Sequence, residues 1–70
     1  MMPLTYADIG DENIIQRIGG KQEAKKHLEN MGFVVGGTVT VLSTQGGNLI
    51  VKVKESRVAL SSEMASKIMV

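Results

Sequence analysis

Few residues in this chain have types suited to chemistry. His27 is the only histidine and cysteine is absent, so a metal site would depend on one imidazole and carboxylates. Glu23 lies four residues before His27, which puts both on one face if the stretch is helical. No further ligand type accompanies them there, and a metal site asks for a fuller ligand set. His27 therefore reads as a half-exposed helix histidine, and neither a metal nor another cofactor is expected. Ser43, Ser56, Ser61 and Ser62 carry hydroxyls, and Asp8 and Asp11 carboxylates, but none sits in a nucleophile signature. A domain this small has little room for a pocket, so no catalytic residue and no enzyme is expected.

Binding of anions or nucleic acid is weakly supported. Gly19-Gly20 precedes a helical pattern, as phosphate-binding turns do, yet neither G-x-G-x-x-G nor G-x-x-x-x-G-K-[ST] occurs. The pair reads as a bend. Lys21, Lys25 and Lys26 form one basic cluster and Lys52, Lys54 and Arg57 another, but Tyr6 and Phe33 are the only aromatic residues. Stacking platforms for bases, or ridges for a proline-rich peptide, need more. With eight basic and seven acidic side chains the formal net charge is +1, which gives no pull on a polyanion.

These groups must be carried by a small scaffold. Seventy residues make a single domain, 1–70, with a small core and no disulfide. The opening MMPLTYADIGDE has neither a basic n-region nor an apolar h-region, and no apolar run is long enough to span a bilayer. A soluble cytoplasmic domain is the expected class.

The organising stretch is 28–38, LENMGFVVGGT. Ala24, Leu28 and Met31 recur at helical spacing and predict a helix over 21–31, with Gly20 standing in for the missing polar N-cap. Gly32 is placed to close that helix in the left-handed conformation, with Phe33 folding back on Leu28 in a Schellman motif. Gly36 and Gly37 make a second bend into a strand. Before the helix, Pro3 opens a short helical turn. Residues 13–18, NIIQRI, read as a short or bulged strand, with Ile14 and Ile18 on one face and Ile15 on the other.

Residues 38–44 and 49–53 alternate as two strands around Gly46-Gly47. A two-residue turn would mix their faces. Pairing Val41 with Val51, Val39 with Val53 and Leu42 with Ile50 matches them, which predicts an odd loop of three or five residues. A second hairpin is expected to turn at Glu55-Ser56, with Val53 facing Val58, Val51 facing Leu60 and Lys54 facing Arg57. Val39, Val41, Val51, Val53, Val58 and Leu60 then share one buried face. Leu42 and Ile50 fall on the other face, bordered by Lys52. They are either a partner-binding surface or are covered by the helix or the N-terminal segment. Residues 61–67 predict one helical turn capped by Ser61 or Ser62, and 68–70 a last strand. Five strands with an inserted helix imply a mainly β fold, a small SH3-like barrel.

Taken together, Leu28, Met31-Gly32-Phe33, Gly36, the strand from Val39 to Leu42, Ala59-Leu60, Ala65, Ile68 and Val70 resemble the FeoA family, small proteins of bacterial ferrous iron transport. The resemblance spans nearly the whole chain. Val35 stands where the family often has proline, Ser61 where arginine is common, and His27 where a basic residue is frequent. The resemblance implies an SH3-like barrel and a non-enzymatic role beside FeoB, the membrane permease with a GTP-binding domain. It implies no catalytic residue. The same module is similar to the C-terminal domain of metal-dependent repressors, which sets a metal-sensing or nucleic-acid-binding domain as the alternative. Candidate partner-binding residues are Leu42, Ile50 and Lys52, with Gly32, Phe33, Gly36 and Gly37 as structural turn and cap residues.

Overall fold

Alternation and turn chemistry together account for the elements. In the computed structural model, which describes residues 1–70, the elements are β1 (Glu12–Ile14), β2 (Arg17–Ile18), α1 (Gln22–Asn30), β3 (Thr38–Gln45), β4 (Asn48–Val53), β5 (Ser56–Ser61), α2 (Ser62–Ala65) and β6 (Ile68–Met69). A 3-10 turn at Leu4–Tyr6 follows Pro3. One antiparallel sheet has the order β1-β3-β4-β5, and a second pairs β2 with β6.

The run through 12–18 belongs to both sheets. The Ile15 amide donates to the Gly37 carbonyl at 2.8 Å, and the next amide, Gln16, donates to Met69 at 2.7 Å. The change of sheet between them breaks the two-residue period. Ile15 and Ile18 are both buried while Ile14 is 55% exposed, so the expectation that Ile14 and Ile18 share a face is overturned. Counted as one strand, this run gives the expected five. The ends of the chain add to the second sheet, because Met2 and Val70 exchange both backbone bonds at 2.8 Å and Pro3 pairs with Met69. The sheets wrap one core of thirteen apolar residues but do not close into a barrel.

α1 begins one residue later than expected. Lys21, extended at φ −72° and ψ 158°, is its N-cap; Gly20, at φ +93°, belongs to the bend ahead of it. The other end closes as predicted. Met31 is the C-cap, Gly32 sits at φ +104°, its amide donates to Glu29, and the Phe33 amide donates to Leu28, both at 3.0 Å. These are the two bonds of a Schellman motif. Leu28 and Phe33 are both fully buried in the core.

The first hairpin keeps Val39 opposite Val53 and Val41 opposite Val51, yet turns through only two residues, Gly46 (φ +51°) and Gly47 (φ +85°). The odd loop is therefore not formed. A β-bulge between Val41 and Ser43 absorbs the extra residue within β3, so the tight turn and the matched faces coexist. Its consequence is that Leu42 has no partner in β4, and Ile50 lies opposite Ser43.

The second hairpin is displaced by two residues from the expected register. It turns at Lys54-Glu55, with Lys54 at φ +55°, and places Val51 opposite Val58 and Lys52 opposite Arg57. A slip of two leaves every face unchanged, so face matching is blind to it. Leu49 decides the matter: the observed register sets it against Leu60, both buried, where the expected one would have given it Ser62. Val39, Val41, Val51, Val53 and Leu60 are buried and Val58 packs against them, as the alternation requires. Ser62 is left to start α2, where the Ser61 hydroxyl accepts from the Met64 amide at 3.2 Å.

Candidate interaction surface

The face of the large sheet turned away from the core follows from the registers. Glu12 pairs with Thr40, Thr40 with Lys52, and Lys52 with Arg57, so these four form one row across all four strands. Their neighbours along the strands, Val39, Val41, Val51 and Val53, are buried on the other side. The row is therefore acidic at the β1 edge and cationic at the β5 edge. Like charges set directly opposite one another, as Lys52 and Arg57 are, repel.

A second row crosses the sheet beside it, with Ser43, Ile50 and Ala59. Ile50 is half-buried and is not among the residues packed against the core. Leu42 is half-buried at the bulge and stands apart from the core in the same way. Thus the two residues share the expected position off the core, although they are not a cross-strand pair. The N-terminal segment reaches this part of β3, since the Gly10 amide donates to the Val41 carbonyl at 2.8 Å. α1 sends Leu28 into the core on the opposite side, so the helix does not cover this face. Lys52 is exposed, and Ile14, opposite Thr38, adds an apolar side chain at the far end.

Lys54, read from sequence as part of the basic cluster, is directed elsewhere. Its stem passes beside Gly32, so that a Cβ built on Gly32 would lie 3.7 Å from the Lys54 Cδ. A cation there suits the negative end of α1. Two features were not legible in the sequence: the direct opposition of Lys52 and Arg57, and the exposure of Ile14. Both depend on registers that a bulge and a sheet change reset.

The remaining sequence candidates do not converge. His27 and Glu23 are exposed on α1, and no three His, Asp or Glu side chains come together anywhere. Ser61 is committed to its cap, and the Ser66 hydroxyl donates to the Glu63 carbonyl at 2.6 Å. Gly36, at φ +89°, and Gly37, whose amide donates to Val34 at 2.9 Å, form the bend after the helix.

The model of the FeoA domain matches residues 2–70. A protein of Methanocaldococcus jannaschii, provisionally named Fe(2+) transport protein A, is 36% identical over 70 residues, which is 100% of this chain and 85% of that one. A crystal structure of an iron uptake regulatory protein, FeoA, is 31% identical with a TM-score of 0.86, over 96% of this chain and 89% of that chain. Stenotrophomonas maltophilia FeoA complexed with zinc, described as a prokaryotic SH3 domain protein, superposes with a TM-score of 0.86 over 99% of this chain and 88% of that one. At 21% identity it shows the fold alone, which is SH3-like. A manganese-dependent transcriptional repressor also shares the fold alone, at 22% identity and a TM-score of 0.85, over 94% of this chain but 38% of that one.

Proposed function

The chain belongs to the FeoA domain family, and from that membership we propose that it is a non-enzymatic accessory protein of ferrous iron transport that binds the cytoplasmic part of a FeoB-type permease. The family match over residues 2–70 carries this reading. The surface supports it. A sheet face with apolar side chains lies outside the core. In this reading Leu42 and Ile50 form the apolar ground of the contact and Lys52 its charged border. A patch of a few strands suits a modest, regulatory association rather than an obligate one. Gly32, Phe33, Gly36 and Gly37 hold the scaffold and take no part in binding. No helix is long and apolar enough to cross a membrane. In this reading the permease brings the chain to the inner face of the bilayer.

The test is a calorimetric titration of the chain with the permease's cytoplasmic domain, beside a circular dichroism melt. Replacing Leu42 and Ile50 together by serine is expected to weaken binding by about tenfold or more while the melt stays cooperative. Full binding by the folded double variant would remove this surface. No binding by the native chain would remove the proposed partner.

A further inference from the structure

The large sheet has one regular open edge. β5 pairs only with β4, over six consecutive residue pairs and without a bulge. The hydrogen-bonding phase along it is fixed by the turn. A two-residue turn at Lys54-Glu55 makes Val53–Ser56 a hydrogen-bonded pair, and the bond from the Ser62 amide to the Gly47 carbonyl at 2.9 Å continues the same alternation. Arg57, Ala59 and Ser61 thus turn their amides and carbonyls away from β4. Both Arg57 and Ala59 are exposed. The opposite edge is poorer in such groups, because β1 is three residues long and the chain leaves the sheet after it.

Natural edge strands are usually blunted by proline, a bulge or a charge. β5 has neither of the first two, and its exposed cation, Arg57, stands directly opposite a second one, Lys52. Lys54 is turned toward α1, and the nearest acid in sequence, Glu55, lies in the turn outside the row. The charge of this edge is unmatched within the sheet. A second copy does not match it, since β5, SRVALS, has no acid of its own. Beside Arg57 along the strand is Ala59, and across from Ala59 is the half-buried Ile50. An added strand would therefore meet a cation at one position and, two residues on, a small side chain with Ile50 behind it.

We propose that the permease domain docks by strand addition: an extended acidic segment pairs with β5, placing a carboxylate beside Arg57 and, two residues away on the same face, a large apolar side chain over Ala59 against Ile50. This rests on the proposed function and specifies the chemistry of its partner. The backbone supplies affinity, and the alternate side chains supply selection, as in other strand-addition contacts. The Leu42 and Ile50 ground is continuous with the added strand through Ala59.

Two variants and one measurement test it. Ala59→Pro removes an amide that the fold does not use, a position where an edge strand tolerates proline. In titrations with the permease's cytoplasmic domain, Ala59→Pro and Arg57→Glu are each expected to lose about tenfold or more in affinity, while their melts stay close to native. Amide exchange on the native complex is expected to protect Arg57 and Ala59, and this readout decides the matter alone if Ala59→Pro fails to fold. Native-like binding by folded Ala59→Pro, or protection elsewhere without protection of these amides, would overturn strand addition and leave the proposed partner standing. Absence of binding by the native chain would overturn the partner and strand addition together. A native chain that dimerises through β5, with Ala59→Pro monomeric, would overturn the acidic segment in favour of self-pairing.

Discussion

The Phe33 amide donates to the Leu28 carbonyl at 3.0 Å, across the turn that ends α1, and both side chains are fully buried. This bond ties the end of the helix to the start of the chain's return to the sheet. It depends on Gly32 between them at φ +104°.

Gly32→Ala is accordingly expected to destabilise the domain by about 1 kcal/mol or more, because alanine pays to hold a left-handed conformation. Crowding adds little, since the nearest atoms to a new Cβ, on Lys54 and Val53, lie at 3.7 Å. The loss is read as a lower melting temperature. An unchanged melt would separate the closure from the stability of the fold.

Val35→Pro is expected to stabilise. The bond from the Gly37 amide to Val34, with Gly36 at φ +89°, has the pattern of a type II turn, in which Val35 holds the position that favours proline. Restricting the unfolded chain there is worth about 0.4–1 kcal/mol. A lower melting temperature in the variant would mean that Val35 does not hold a proline-compatible φ.

Ser61→Ala removes the hydroxyl that accepts from Met64 at the start of α2. The expected cost is about 1 kcal/mol, measured by denaturant unfolding. Ser62→Ala, one residue on, is the control and is expected to cost less.

The registers are checked by proton NMR. Non-hydrogen-bonded pairs bring their Hα atoms closest, so strong contacts are expected for Thr44 with Leu49, Lys52 with Arg57 and Ile50 with Ala59. A strong contact of Val53 with Val58 instead, the non-hydrogen-bonded pair next to a turn at Glu55-Ser56, would restore that alternative turn.

Ferrous iron is expected not to bind the isolated chain tightly, because no three His, Asp or Glu side chains converge. Anaerobic calorimetry that finds a stoichiometric site of about micromolar affinity or tighter would contradict this.

The sequence was most readable where one local rule decided the outcome. The Schellman closure at Gly32 and the capping at Ser61 are set by a few adjacent residues, and both appear as the residue types require. The buried valines follow from alternation alone. Reading failed where two rules competed. At Leu42, a tight glycine turn and matched faces are both satisfied only by a bulge, which sequence alternation does not reveal. At Ile14 and Ile15, pairing with two sheets overrides the strand period. The row from Glu12 to Arg57 could not be seen until both hairpin registers were known.

Met2 and Val70 meet as the outermost pair of an antiparallel ladder, followed inward by Pro3 and Met69. A pulling force applied at the two ends would load these pairs one after another, as in opening a zip, and not all at once in shear. The domain is therefore expected to yield to low tension along its termini. Tethered through the β3–β4 and β4–β5 turns instead, it would present the long β4 pairings lengthwise and resist far more.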